Sequence, residues 1–296
     1  LWLDGVAPCA RGYARESGVI WLRHELEDVC VETWFFAPWA LRRPALVMVA
    51  RVTLDHEGDA SLFTLHDYRV GFTSNDDRIH PDGRNQRSAH LGEGFACLLS
   101  GVGGRVLHWP LEAPTRHGLD AACVRAALLE GRSLGNEPRG CRDGEQLVAF
   151  QKDFALDPGE PGWFGVVSAF ERFADTSALA REVGSVYLGA HAQATLEAEL
   201  DAWESWRVPT PAGLSNEERA IFRQSEALLR QGQVWETTDA SAGQLVASLP
   251  PGRWNTTWVR DHCYATVALA LLGHLDEARA AADFLFTAEA GRFAPH

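Results

Sequence analysis

Up to about residue 171 the hydrophobic positions fall in short runs, rich in β-branched and aromatic residues and separated by turn-forming clusters. Residues 19–22, 29–36, 46–54 and 61–68 read as strands, with turns at 55–59, 74–77 and 81–83. The pattern resumes over 95–99, 106–109, 146–156 and 163–170. Many short strands at near-regular spacing predict antiparallel sheets packed as a sandwich. Residues 119–130 fit either a helix or a buried run.

Near Asp175 the period changes. Ala, Leu and Glu recur at helical spacing over 177–206, and a stiff Pro/Gly connector follows at 207–213. Ser215 with Glu218 three positions on is a capping box, which fully accounts for the paired acids Glu217 and Glu218. The helix it opens sets Ile221, Phe222, Leu228 and Leu229 on one stripe. After a break at 237–241, two further helices are expected at 262–272 and 276–288, with Gly273 as the left-handed stop between them. The division expected is a β-sandwich domain at 1–174, a helical linker at 175–213 and a helical region at 214–296. Three helices after the connector leave apolar faces without partners.

Composition narrows the function. With 27 basic and 40 acidic residues the net charge is −13, and no basic block exists to neutralise nucleic-acid phosphates or an anionic membrane surface. No apolar run approaches the roughly 20 residues of a membrane-spanning helix. Six widely spaced cysteines without a CxxC pair read as buried small side chains in a reducing, cytoplasmic compartment. No metal site is expected. His262 and Cys263 point about 100° apart on a helix and find no third ligand. His24, His66 and His90, with Asp67, Asp76 and Asp77, read as solvated turn residues. Residues 101–105 lack the Lys–Ser/Thr of a phosphate loop and read as a hairpin turn. Trp254 reads as a core or loop anchor, and Asn255 opens a formal glycosylation sequon.

The most specific feature is the run Trp258-Val259-Arg260-Asp261 at the mouth of an apolar helix. An indole offers a plane to the C–H face of a sugar, and an adjacent Arg–Asp pair offers charged partners to its hydroxyls. Bonds of that kind contribute on the order of 1.5–3 kcal/mol each. The bland alternatives are a structural ion pair in a helix's first turn and an indole that merely packs.

This run, with residues 215–236, 243–248 and 262–278, resembles the bacterial glucoamylase-type enzymes of glycoside hydrolase family 15. Phe36-Ala37-Pro38 and Leu156-Asp157-Pro158-Gly159-Glu160 are similar to that family's β-domain, and the likeness is most specific over 243–286. The resemblance implies an N-terminal antiparallel super-β-sandwich, a helical linker and the first helices of an (α/α)6 barrel. It assigns Arg260 and Asp261 to the subsite for the terminal glucose and Trp258 to the pocket wall. The implied activity is an inverting, exo-acting α-glucoside hydrolase that removes glucose from an α-glucan, oligosaccharide or disaccharide without a cofactor. Family catalysis uses two downstream glutamates, so no catalytic residue is assigned here. The chain starts at Leu1 and is expected to be a fragment, inactive alone. The alternatives are a glycoside phosphorylase of similar architecture and a non-catalytic carbohydrate-binding or scaffold module.

Overall fold

The computed structural model describes residues 6–67, 87–91, 96–101, 104–137, 139, 146–171, 176–236, 241–249 and 256–288. The turns expected at 74–77 and 81–83, and the residues Tyr68, Phe95, Trp254 and Asn255, lie outside the described residues. Two compact units emerge. One comprises Leu1–Gly12 and Trp21–Ala198, the other Tyr13–Ile20 and Glu199–His296.

The first unit is built on strands β1 (Ala10–Tyr13), β2 (Ile20–Leu26), β3 (Val29–Phe36), β4 (Ala45–Leu54), β5 (Gly58–His66), β6 (Arg87–His90), β7 (Cys97–Gly101), β8 (Gly104–Pro110), β9 (Arg116–Asp120), β10 (Gln146–Leu156) and β11 (Pro161–Glu171). Eight of them form one sheet in the order β1-β2-β3-β4-β11-β8-β7-β6, and β5-β10-β9 form a second. The pairings from β3 across to β6, and both pairings of β10, are antiparallel. In β11, Phe164 and Val166 face one side and Gly165 and Val167 the other, and all four are buried. Phe164 and Val166 meet Val148 and Phe150 of β10, with Cys97, Leu99, Val106 and Leu119, in the core between the sheets. Runs of β-branched and aromatic residues made β3, β4, β10 and β11 readable from sequence.

The stretch left open at 119–130 is both things in turn. Asp120 ends β9 and its carboxylate caps α1 (Ala121–Leu129) by accepting from Cys123 N at 3.0 Å. Helix α1 then packs Val124 and Ala127 against Leu147 and Ala149 of β10, with Leu134 from the following loop. The helical stretch after Asp175 is two helices, α2 (Thr176–Tyr187) and α3 (Ala192–Trp206). Glu112 marks the break, accepting from Gly165 N at 3.0 Å and from Ala192 N at 2.5 Å, which ties the start of α3 to the sheet. Burial pushes its carboxyl pKa up, partly offset by those two amides.

Two expectations about polar residues are corrected. His24 and His66 are buried rather than solvated at turns. His66 lies between the sheets, 4.9 Å ring to ring from His108. His66 Nε2 meets Thr64 Oγ1 at 3.2 Å, and His108 Nδ1 meets Ser168 Oγ at 2.9 Å. Burial lowers the His66 pKa to about 4 and holds that of His108 well below the ordinary value. The five described cysteines are free, but only Cys97 is buried, while Cys9, Cys123 and Cys263 are exposed.

The second unit holds α4 (Asn216–Gln231), α5 (Val259–Leu272) and α6 (Leu275–Thr287). The capping box is present in full: Ser215 Oγ accepts from Glu218 N at 3.2 Å and Glu218 Oε2 accepts from Ser215 N at 2.8 Å. Gly273 ends α5 in the left-handed region, at φ 97°. The apolar stripe of α4 is another correction. Ile221 is 64% exposed, and the helix instead buries Glu226, Ala227 and Arg230. A polar hub overrides the stripe. Glu226 Oε1 accepts from Val208 N at 3.0 Å and pairs with His274 Nε2 at 2.9 Å; Oε2 accepts from Arg223 Nη1 at 2.7 Å. Trp206 stacks on His274 at 4.0 Å and donates to Glu277 at 2.8 Å. The connector after Trp206 is thereby fastened to α4 and α6.

Candidate functional site

Trp258 is the N-cap of α5, in extended backbone at φ −105° and ψ 127°. His262 N donates to Trp258 O at 2.9 Å and so closes the first helical turn. The indole therefore stands outside the helix, while Arg260 and Asp261 lie inside its first turn. There the unpaired amides of the helix start favour a carboxylate. Trp258 is 39% exposed. The side chains of Arg260 and Asp261 are 80% and 42% exposed, with Arg260 Nη2 3.8 Å from Asp261 Oδ2. An ion pair so open to water contributes at most about 1 kcal/mol to stability. Folding alone gives little reason to keep these two charges side by side. What they offer is a guanidinium and a carboxylate reachable from solvent beside an indole.

The turn is held from beneath by residues that pattern reading did not assign. Residues 243–247 run back against the end of α4: Gly243 N donates to Val234 O at 3.0 Å, Val234 N to Gln244 O at 2.8 Å and Val246 N to Gly232 O at 2.9 Å. Leu245 is buried among Leu269, Ala278 and Ala281. Its amide donates to His262 Nδ1 at 3.2 Å and its carbonyl accepts from Thr257 Oγ1 at 3.1 Å. The other imidazole nitrogen, His262 Nε2, reaches Ala281 O at 2.8 Å. With Nδ1 accepting, the proton sits on Nε2. Cys263 points away from His262 and is exposed, as adjacent helical positions dictate. Among the described residues no group of three or more His, Cys, Asp or Glu could hold a metal ion.

One further property of α5 bears on the site. His262, Ala265 and Leu269 face the packed interior of this unit, whereas Tyr264 (74% exposed), Val267 and Leu271 (84% exposed) line the opposite face. The helix is apolar on both sides. Glu226 cannot serve as an acid or base at this mouth, because both its oxygens are taken up by the buried hub.

No family model and no curated protein matches the sequence. Among solved structures, a bacterial glucoamylase complexed with acarbose is similar over 93% of this chain, with a TM-score of 0.61 and 14% identity. The fold resembles that of a bacterial glucoamylase. This chain spans 40% of the glucoamylase's length. A kojibiose phosphorylase from the human microbiome is similar over 75% of this chain and 25% of its own, at a TM-score of 0.37 and 7% identity, too distant to bear on the fold. No described helix is long and apolar enough to cross a membrane.

Proposed function

We propose that these residues are the N-terminal part of an inverting, exo-acting α-glucoside hydrolase, acting on an α-glucan, oligosaccharide or disaccharide. In this reading residues 1–174 are the sandwich, 175–213 the linker and 214–296 the first helices of an (α/α)6 barrel. The observation that carries it is the solvent-open Trp258, Arg260 and Asp261 at the start of α5, in a chain of glucoamylase-like fold. The doubly apolar α5 supports the barrel, since a helix hydrophobic all round belongs between two packed layers. Trp258 stacks on the terminal glucose, Asp261 accepts from its hydroxyls, and Arg260 donates to the sugar and steadies Asp261. Inversion needs an acid and a base about 6.5–9.5 Å apart across the scissile bond. Neither is assigned to a residue described here. The chemistry needs no cofactor. The free cysteines support a reducing, cytoplasmic setting.

The test is Asp261→Asn in the full-length protein, assayed on maltooligosaccharides and trehalose with NMR detection of the released anomer. Loss of one charged hydrogen bond predicts a fall of about 10- to 100-fold in kcat/KM. The melting temperature should stay unchanged. Equal loss of fold and turnover would return Arg260 and Asp261 to a structural role. Release of a glucose phosphate that depends on added phosphate would make the enzyme a phosphorylase instead.

A further inference from the structure

The sugar-binding reading names Trp258, Arg260 and Asp261 but leaves open what fixes their turn. Both backbone groups of one buried residue, Leu245, are bonded to side chains that bracket that turn. Thr257, immediately before Trp258, takes the Leu245 carbonyl, and His262, immediately after Asp261, takes the Leu245 amide. The anchor is itself immobilised. Leu245 is buried beside Leu269 and Ala281, and Ala247 N donates to Thr256 O at 3.0 Å. His262 is also bonded to Ala281 O of α6 and packs near Phe284, ring centroids 5.7 Å apart. At Gly243, with φ 86°, a Cβ would run into the backbone carbonyl of Ala280, so this segment lies directly on α6. Thr257 and His262 are both buried. Neither presents a polar atom to solvent at the mouth, and their bonds to Leu245 and Ala281 run inward.

We infer that Thr257 and His262 are positioning residues for substrate recognition, clamping Leu245 so that the Trp258–Asp261 turn is preset before sugar arrives. This rests on the sugar-site reading above. The clamp works by geometry. Hydrogen bonds at both ends leave the four residues between them little freedom to rotate about the helix start. The cost of ordering the binding groups is then met in folding rather than at binding. The clamp needs an acceptor toward Leu245 N and a donor toward Ala281 O from one side chain. A neutral imidazole supplies both, and so does a carboxamide.

The experiment is a double-mutant cycle in the full-length enzyme, with kcat/KM on maltooligosaccharides and the dissociation constant of acarbose as readouts. His262→Leu is expected to lower kcat/KM at least tenfold, and His262→Gln to restore it to within about threefold. Thr257→Val should lose about fivefold and Thr257→Ser almost nothing. In the Asp261→Asn background, His262→Leu should cost clearly less than in the wild type, because part of its effect is transmitted through Asp261 and the rest through Trp258 and Arg260. A merely structural histidine would lower stability but add its full kinetic cost in both backgrounds. Full additivity, or His262→Leu with wild-type kcat/KM, overturns the clamp while leaving the sugar site intact. An inert Asp261→Asn instead removes the sugar-site reading, and the clamp's role in recognition falls with it. Should His262→Leu fail to fold, the Thr257→Val cycle decides by the same criteria.

Discussion

Acid should loosen the sandwich through its buried histidines, and the size of the effect can be worked out for His66. The folded-state pKa is about 4, against an ordinary value of 6.5. Because the fold favours the neutral ring, the unfolded chain binds more protons between those two values, so stability falls as pH drops through that window. Above 6.5 the contribution is complete. By pH 5 about 2 kcal/mol is lost, and the loss approaches about 3 kcal/mol near pH 4. His108 and His90 act in the same direction, since burial lowers both. Glu112, whose pKa is raised, acts in the opposite direction. Working at pH 7.5 and 5.0 keeps Asp153 out of the comparison, because its depressed pKa moves its titration below that range. The perturbation is His66→Phe, which keeps an aromatic ring beside Phe150 but removes the titration. The assay is hydrogen exchange of peptides from β5 and β10 in both proteins at both pH values, so that the pH dependence of intrinsic exchange cancels. The wild type should open more easily at pH 5 by about 2 kcal/mol relative to the variant's own change. An identical pH dependence in the two proteins would refute the reasoning.

Two other substitutions probe the helical unit. Glu226→Ala leaves Arg223, His274 and the Val208 amide without their buried acceptor, and should lower stability by about 3–5 kcal/mol in thermal or urea melts. A change below about 1 kcal/mol would mean that the hub is replaceable by packing. Gly243→Ala meets two penalties, a φ of 86° costing about 1–2 kcal/mol and a Cβ driven into a backbone carbonyl that cannot swing aside. It should lower the melting temperature and, by shifting residues 243–247, weaken sugar binding as well.

Sequence pattern recovered what periodicity encodes. The strands β3, β4, β10 and β11 are long runs of β-branched and aromatic residues. The capping box and Gly273 are local chemistry with a fixed spacing. Strand β9 escaped because Arg116-His117-Gly118 looks polar. Its burial is decided by α1 and β10, which pattern reading cannot pair with it. The stripe on α4 failed for the opposite reason. Four apolar residues were in the right places, but a charged hub assembled from the linker, α4 and α6 took the inward face. No window of consecutive residues contains that competition.

The candidate site divides the same way. Trp258, Arg260 and Asp261 could be put forward from sequence because an indole and a charge pair are properties of side-chain type in a short run. The clamp beneath them links Thr257 and His262 through one residue, Leu245, 12 and 17 residues away from them, whose side chain signals only that it is apolar. His262 itself was the available clue. A titratable ring directly after the Arg–Asp pair, inside an otherwise apolar helix, must either bind something or be satisfied on both nitrogens by backbone. Here both are satisfied. A histidine so placed is spent on structure: its two ring nitrogens join the start of α5 to the 243–247 segment and to α6. On the clamp inference, moving any of the three partners shifts the turn that carries Asp261. On the sugar-site reading proposed above, acarbose affinity should therefore respond also to substitutions in the middle of α6 around Ala281, whose carbonyl holds His262.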